Sequence, residues 1–197
     1  MAYARIQTLI TSPCQAWIAS IAIVFFTVLF SGQAQANQYV SELKLLNYTD
    51  SYGNVSLRNA KNLTLPDPMT VNGNLNLEYS NIEQLPRKLK VKGNLNLAYS
   101  AVKQLPRQLV VFGYINLAHS QVTYLNTGLQ VRGDLSLMGT KIEQLPPYLY
   151  VGGDLYLANS AITTLPKFLV VKGDIYLGGI QLSEIPDDIT VEGKIYQ

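Results

Sequence analysis

A leucine returns every twenty residues along most of this chain, at Leu65, Leu85, Leu105, Leu125, Leu145 and Leu165, with Ile185 last. A glycine keeps the same interval at Gly73, Gly93, Gly113, Gly133, Gly153, Gly173 and Gly193. Between them the unit reads LPxxLxVxGxLxLxxSxIxx. A fixed period near twenty marks a solenoid, in which each turn stacks on the one before. Few folds are compatible with that constraint, and none is a conventional globule.

Inside each copy the apolar residues recur every second position. Leu89, Val91, Gly93, Leu95 and Leu97 alternate with Lys90, Lys92, Asn94 and Asn96. Period two is a strand signal, and no segment shows the helical 3.6. Alternation running through a glycine predicts two short strands meeting at a bend. The Leu-Pro pair marks the other corner, because proline fixes its φ and cannot donate a ladder bond. Each turn thus offers an inward set of Leu, Leu, Val, Leu, Leu and Ile, stacked about 4.8 Å from the next. Burying one such side chain is worth about 1.5–3 kcal/mol. A single turn cannot shield its set from water, so the turns must fold together. The expected class is all-β: a parallel β-solenoid of 20-residue turns.

Six full copies start at Leu65, and a partial seventh runs from Ile185 to Gln197. Gly53, Val55 and Leu57 fit the second half of the pattern, so a degenerate turn begins near Asp50. Asn62 stands there where later copies carry Ile82, Val102 and Ile142. The solenoid is therefore expected over residues 50–197. Residues 37–49 lie out of register and read as an N-terminal cap, with Val40, Leu43 and Leu45 available to cover the first turn.

Met1 to Ala36 reads as a secretory signal. Arg5 is its only charge, an apolar run follows from Trp17 to Phe30, and Ala34 and Ala36 form an A-x-A arrangement. Cleavage is expected between Ala36 and Asn37. The apolar run is shorter than the roughly 20 residues a spanning helix needs, so membrane contact is expected only through this segment before cleavage. Its loss removes one of 15 basic residues and none of 13 acidic ones, leaving about +1. Such a balance is no footprint for nucleic acid. The only cysteine, Cys14, is lost as well, which excludes disulfides and a thiol nucleophile. Asn47, Asn54 and Asn62 each open an Asn-x-Ser/Thr triplet, meaningful only in a eukaryotic secretory route.

The stretch LxLxxSxIxxLP, seen in Leu155, Leu157, Ser160, Ile162, Leu165 and Pro166, resembles the conserved part of a leucine-rich repeat, LxLxxNxLxxLP. The twenty-residue length is similar to the short bacterial subtype of type III secreted effectors, and the resemblance covers about residues 50–197. It implies an asparagine that bonds the backbone of the turn. Here that position holds Ser80, Ser100, Ser120, Thr140 or Ser160, whose hydroxyls can serve the same purpose. The family places a leucine three residues before the LxL pair. This chain has Val151 four before Leu155 and Gly153 two before. Its outer arc looks like a second strand, so a straighter solenoid with leucine-rich-repeat character is expected. The resemblance implies no activity: no ligase domain follows the repeats, and there is no cysteine to serve one.

Nothing in the sequence looks catalytic, and no cofactor or metal is expected. His119 is the only histidine, and Tyr79, Tyr99 and Asn159 hold its position in other copies. It reads as an exposed loop residue, with no second histidine or cysteine for zinc. Asp134, Asp154 and Asp174 form a column one residue before the LxL pair. Carboxylates about 5 Å apart suit a cation, basic groups, a β-helical lyase, or simply a solvated polar edge. Asn76, Asn96 and Asn116 form the next column, continued by Ser136, Tyr156, Tyr176 and Tyr196, with Tyr150 near in register. A flat row of tyrosines offers a partner both apolar surface and hydroxyls, or merely stabilises the sheet. Arg87, Lys88, Lys90, Lys92 and Arg107 make a basic patch, and Lys92, Arg132 and Lys172 share a column. These suit anionic glycans, lipid headgroups or plain solvation. Asp187, Asp188, Glu192 and Lys194 concentrate charge near an uncapped last rung, which they would protect from pairing.

The leading expectation is an exported, non-enzymatic recognition module, periplasmic or secreted, that binds a protein or glycan through its strand face. The alternatives are a structural solenoid of the cell envelope that stacks end to end, and a β-helical enzyme acting on polysaccharide through the aspartate column.

Overall fold

The computed structural model describes residues 38–61 and 63–197. The signal segment, its cleavage point at Ala36 and Asn37, Cys14 and Asn62 lie outside the described residues. Ser41–Gln197 forms one structural unit, and its strands bear out the parallel β-solenoid. Each twenty-residue turn carries two short strands separated by the repeated glycine.

The strand after the glycine builds the longer sheet. Val55–Ser56, Leu75–Asn76, Leu95–Asn96, Ile115–Asn116, Leu135–Ser136, Leu155–Tyr156, Ile175–Tyr176 and Ile195–Tyr196 lie side by side in that order. All pairings are parallel, and the register advances by twenty residues, as in Leu95↔Ile115↔Leu135. Like side chains therefore stack, as the period requires. Leu75, Leu95, Leu135, Leu155 and Ile175 are fully buried, as are Leu77, Leu97, Leu117, Leu137 and Leu157. The last turn is looser, with Ile189, Val191 and Ile195 only partly buried and Ile185 exposed.

The strand before the glycine builds a second sheet in two pieces. Met69–Val71, Lys88–Val91 and Gln108–Val111 form one piece. Gln130–Val131, Tyr150–Val151, Val170–Val171 and Thr190–Val191 form the other. The interruption has a local cause. Lys88 and Gln108 enter their strands two residues after the corner proline. At the same register Gly128, Tyr148 and Phe168 adopt left-handed φ values of 73°, 60° and 57°, so their strands start two residues later. Asn126 replaces the proline in the first of these turns. Its Nδ2 donates to the Leu105 carbonyl at 3.0 Å and the Pro106 carbonyl at 3.4 Å. Elsewhere Tyr150 N–H donates to Leu129 O at 3.1 Å and Gly152 N–H to Val131 O at 2.8 Å. The equivalent bonds from Gln130 to Leu109 and from Arg132 to Val111 are not formed. The longer sheet and the glycine bend, with Gly133 N–H on Gly113 O at 3.2 Å, run through without a gap.

Glycine at the bend is a matter of space. A Cβ on Gly133 would sit 2.9 Å from the Gly113 carbonyl carbon, and one on Gly153 would collide with Asp134 Oδ1. Only a residue without a side chain lets successive bends approach to hydrogen-bonding distance.

Residues 38–46 form a helix, although the sequence shows no helical period. Nine residues are too few for the period to show, and Ser41 to Leu46 includes good helix formers in Glu42, Leu43, Lys44, Leu45 and Leu46. Of the three residues expected to cover the first turn, Leu45 alone packs against the core; Val40 and Leu43 are about half exposed, at 48% and 47%. Thr49 Oγ1 donates to Leu45 O at 2.9 Å, tying off the helix end. Among the described residues, no helix is long and apolar enough to cross a membrane.

Candidate functional site

The outward face of the longer sheet carries two adjoining columns, and the first is committed to the backbone. Asn54 Oδ1 accepts the N–H of Asn74 at 2.8 Å, Asn74 that of Asn94 at 2.8 Å, and Asn94 that of Tyr114 at 3.0 Å. Tyr114 has no such oxygen. The ladder restarts at Asp134, which accepts from Asp154 at 2.9 Å; Asp154 accepts from Asp174 at 2.8 Å, and Asp174 from Lys194 at 2.7 Å. The sequence reading misses this purpose. Its signal was present: position 54 and its twenty-residue successors are Asn or Asp in six of eight turns. Asn54 also donates Nδ2 to Asp50 Oδ2 at 2.9 Å, so the side chain of that glycosylation triplet is engaged.

Asn76, Asn96 and Asn116 make up the second column. Each accepts the backbone N–H two residues on, from Glu78 at 2.9 Å, Ala98 at 3.1 Å and Ala118 at 3.0 Å. In the later turns the column becomes Ser136, Tyr156, Tyr176 and Tyr196. The tyrosine rings stack 4.9 and 5.0 Å apart, tilted by 4° and 10°. Tyr156 donates its hydroxyl to Asp154 Oδ2 at 3.1 Å, and Tyr176 to Asp174 Oδ2 at 3.3 Å. Desolvation first, then the bond and charge of Asp154, push the Tyr156 hydroxyl up to about 12. Tyr176 is raised for the same reasons, with desolvation again first and the charges of Asp174 and Asp154 next. Stacking alters what the row presents. The ring faces cover one another, so a partner meets ring edges and hydroxyls, with few open faces for a sugar to stack on.

Tyr150 does not join this row. It pairs with Gln130 and Val170 on the second sheet, because the glycine bend separates it from Tyr156.

A second aromatic ladder, on the loop after the longer sheet, contains His119. Tyr79, Tyr99 and His119 stack at 4.8 and 4.7 Å, with Arg58 5.7 Å above Tyr79. Their φ values are 56°, 54° and 55°, in a column where Asn59, Gly139, Asn159 and Gly179 also take positive φ. Left-handed backbone is unusual for aromatic residues. The exposed-loop reading of His119 holds, and the stack is what the sequence did not disclose. The serine column also departs from expectation. Thr140 Oγ1 bonds Leu137 O at 2.8 Å, whereas the buried hydroxyls of Ser80, Ser100, Ser120 and Ser160 make no such bond.

The second sheet's outer face is basic. Arg87 pairs with Asp67 at 2.7 Å, and Lys172 pairs with Glu192. Lys88, Lys90, Lys92, Arg107 and Arg132 have no carboxylate partner among the described residues. Arg132 lies 4.3 Å over the Phe112 ring, and Lys90 lies 5.7 Å from it. Among the described residues no group of three or more His, Cys, Asp or Glu side chains gathers as a metal site would need. No known family model, curated protein or solved structure matches the chain.

Proposed function

We propose that this chain is an exported, non-enzymatic recognition module of leucine-rich-repeat character, and that it contacts a partner protein through the outer face of the longer sheet. The observation that carries the reading is the in-register row of Tyr156, Tyr176 and Tyr196, beside an aspartate column of the same pitch. Such a row repeats an amphipathic edge and a hydroxyl at the spacing of successive turns, which suits an extended protein segment. Because the ring faces are taken up in stacking, a protein fits better than a glycan. Export is supported by the Met1–Ala36 pattern. The aspartates bond backbone amides through Oδ1, and those of Asp154 and Asp174 accept tyrosine hydroxyls at Oδ2, which argues against their serving as an acid–base pair.

A photo-crosslinking residue placed at 176 tests this in the source cell. A discrete adduct is expected from position 176 and none from position 52, where Tyr52 is 83% exposed but remote from the row in sequence. Adducts of equal yield at both positions, or none at 176, would refute the strand face as the contact surface.

A further inference from the structure

The gap in the second sheet opens a cleft of about 590 Å³, lined by Arg107, Leu109, Asn126, Leu129, Arg132 and Tyr150 among others. Three properties coincide there. The floor is apolar, since Leu109 is only partly buried whereas its counterparts Leu89, Leu149 and Leu169 are sealed at 1%, 0% and 0%. The rim is cationic, with Arg107 and Arg132 lacking a carboxylate partner among the described residues and Arg132 held over Phe112. The walls are strand edges whose mutual bonds, Gln130 N–H to Leu109 O and Arg132 N–H to Val111 O, are missing.

We propose that this cleft is a docking site for an extended acidic–apolar peptide segment of a partner protein. An extended segment lying over the cleft can offer acceptors to the Gln130 and Arg132 amides from the outer side. Its alternate side chains point to opposite sides, so one set can enter the cleft towards the partly buried Leu109. Carboxylates in the other set meet Arg107 and Arg132, as charge-assisted bonds require. Lys88, Lys90 and Lys92 extend the positive field along the same face; of the acids in this register, Glu192 is bonded to Lys172 and Asp188 lies in the last turn, away from the cleft in sequence. A purely anionic glycan would use the cations and leave the apolar floor empty. A membrane surface would reach the lysines but not the recessed backbone groups. The site lies on the opposite sheet from the tyrosine row and stands independently of it.

The experiment is fluorescence polarisation with the full chain and a labelled short peptide alternating glutamate and leucine. Saturable binding is expected, weakened about tenfold or more by Arg107→Glu with Arg132→Glu. Binding should also slow hydrogen exchange at the Gln130 and Arg132 amides of the unsubstituted chain, a readout that survives if the double variant fails to fold. Tyr176→Ala should leave this binding unchanged, so the two proposed surfaces fail on different variants. Absence of peptide binding, or binding without protection of those amides, would overturn the proposal. So would displacement of the peptide by polyglucuronate or phosphatidylglycerol vesicles that protect the same amides, since the cleft would then be a general anion site.

Discussion

Asp154 Oδ1 accepts the backbone N–H of Asp174 from the following turn, at 2.8 Å. The same carboxylate reaches Tyr156 through its other oxygen, at 3.1 Å. One side chain thus joins two turns and orients the ring beside it.

Asp154→Ala removes the acceptor and leaves the Asp174 amide partly buried without a partner. A loss of about 1–3 kcal/mol is expected. Asp154→Asn keeps an oxygen at the same place and should stay within about 0.5 kcal/mol of the parent. Urea unfolding of the two variants checks this, and equal losses would show that the oxygen is not what matters.

Two glycines separate crowding from backbone strain. Gly153→Ala drives a methyl group into Asp134 Oδ1 and the Gly133 carbonyl, at a cost of about 1–3 kcal/mol. Gly128 has open space around it but a φ of +73°, so Gly128→Ala should cost about 1–2 kcal/mol from left-handed backbone alone. Gly128→Asn, which tolerates that conformation, should recover much of the loss, while Gly153→Asn should be worse than Gly153→Ala. Thermal denaturation of the four variants discriminates.

Alkaline titration reports on the tyrosine row. The folded chain holds the Tyr156 proton more tightly than the ordinary phenol at 10.0, up to about 12. The associated stabilisation is complete below pH 10 and is lost as pH rises through about 12. Phenolate absorbance should therefore show a late-titrating tyrosine that disappears in Tyr156→Phe. The parent should also lose stability more steeply than that variant across this interval.

Hydrogen exchange maps the gap in the second sheet. The Gln130 and Arg132 amides should exchange faster in the free protein than their counterparts Tyr150, Gly152, Val170 and Lys172, which all donate to the preceding turn. Matched protection at all six positions would mean that the ladder is closed in solution.

The twenty-residue period made the stack, its register and its inward residues legible, because a column needs only identical spacing. Pairing of Leu95, Ile115 and Leu135 follows directly from it. The Asn/Asp ladder was harder to read, since Asn54 and Asp134 differ in charge while sharing the one oxygen that matters. The sheet interruption was written in Asn126 and Gly128, but backbone handedness at Tyr148 and Phe168 has no composition signal. Tyr150 reads in the sequence as near in register with the Tyr156 column, and a six-residue separation spanning a bend puts them on different sheets. The covered ring faces follow from in-register stacking, a consequence visible only once the columns are built.

Because every turn takes its neighbour at an offset of twenty, the interior of the solenoid can change length only by whole units. Excising one complete turn from the middle would return each leucine, glycine and aspartate to an equivalent seat. Deleting a single residue within a strand would instead exchange buried for solvated positions along that strand and leave its turn one residue short against both neighbours. Variation in size is therefore confined to multiples of one rung, and finer changes are confined to the corners.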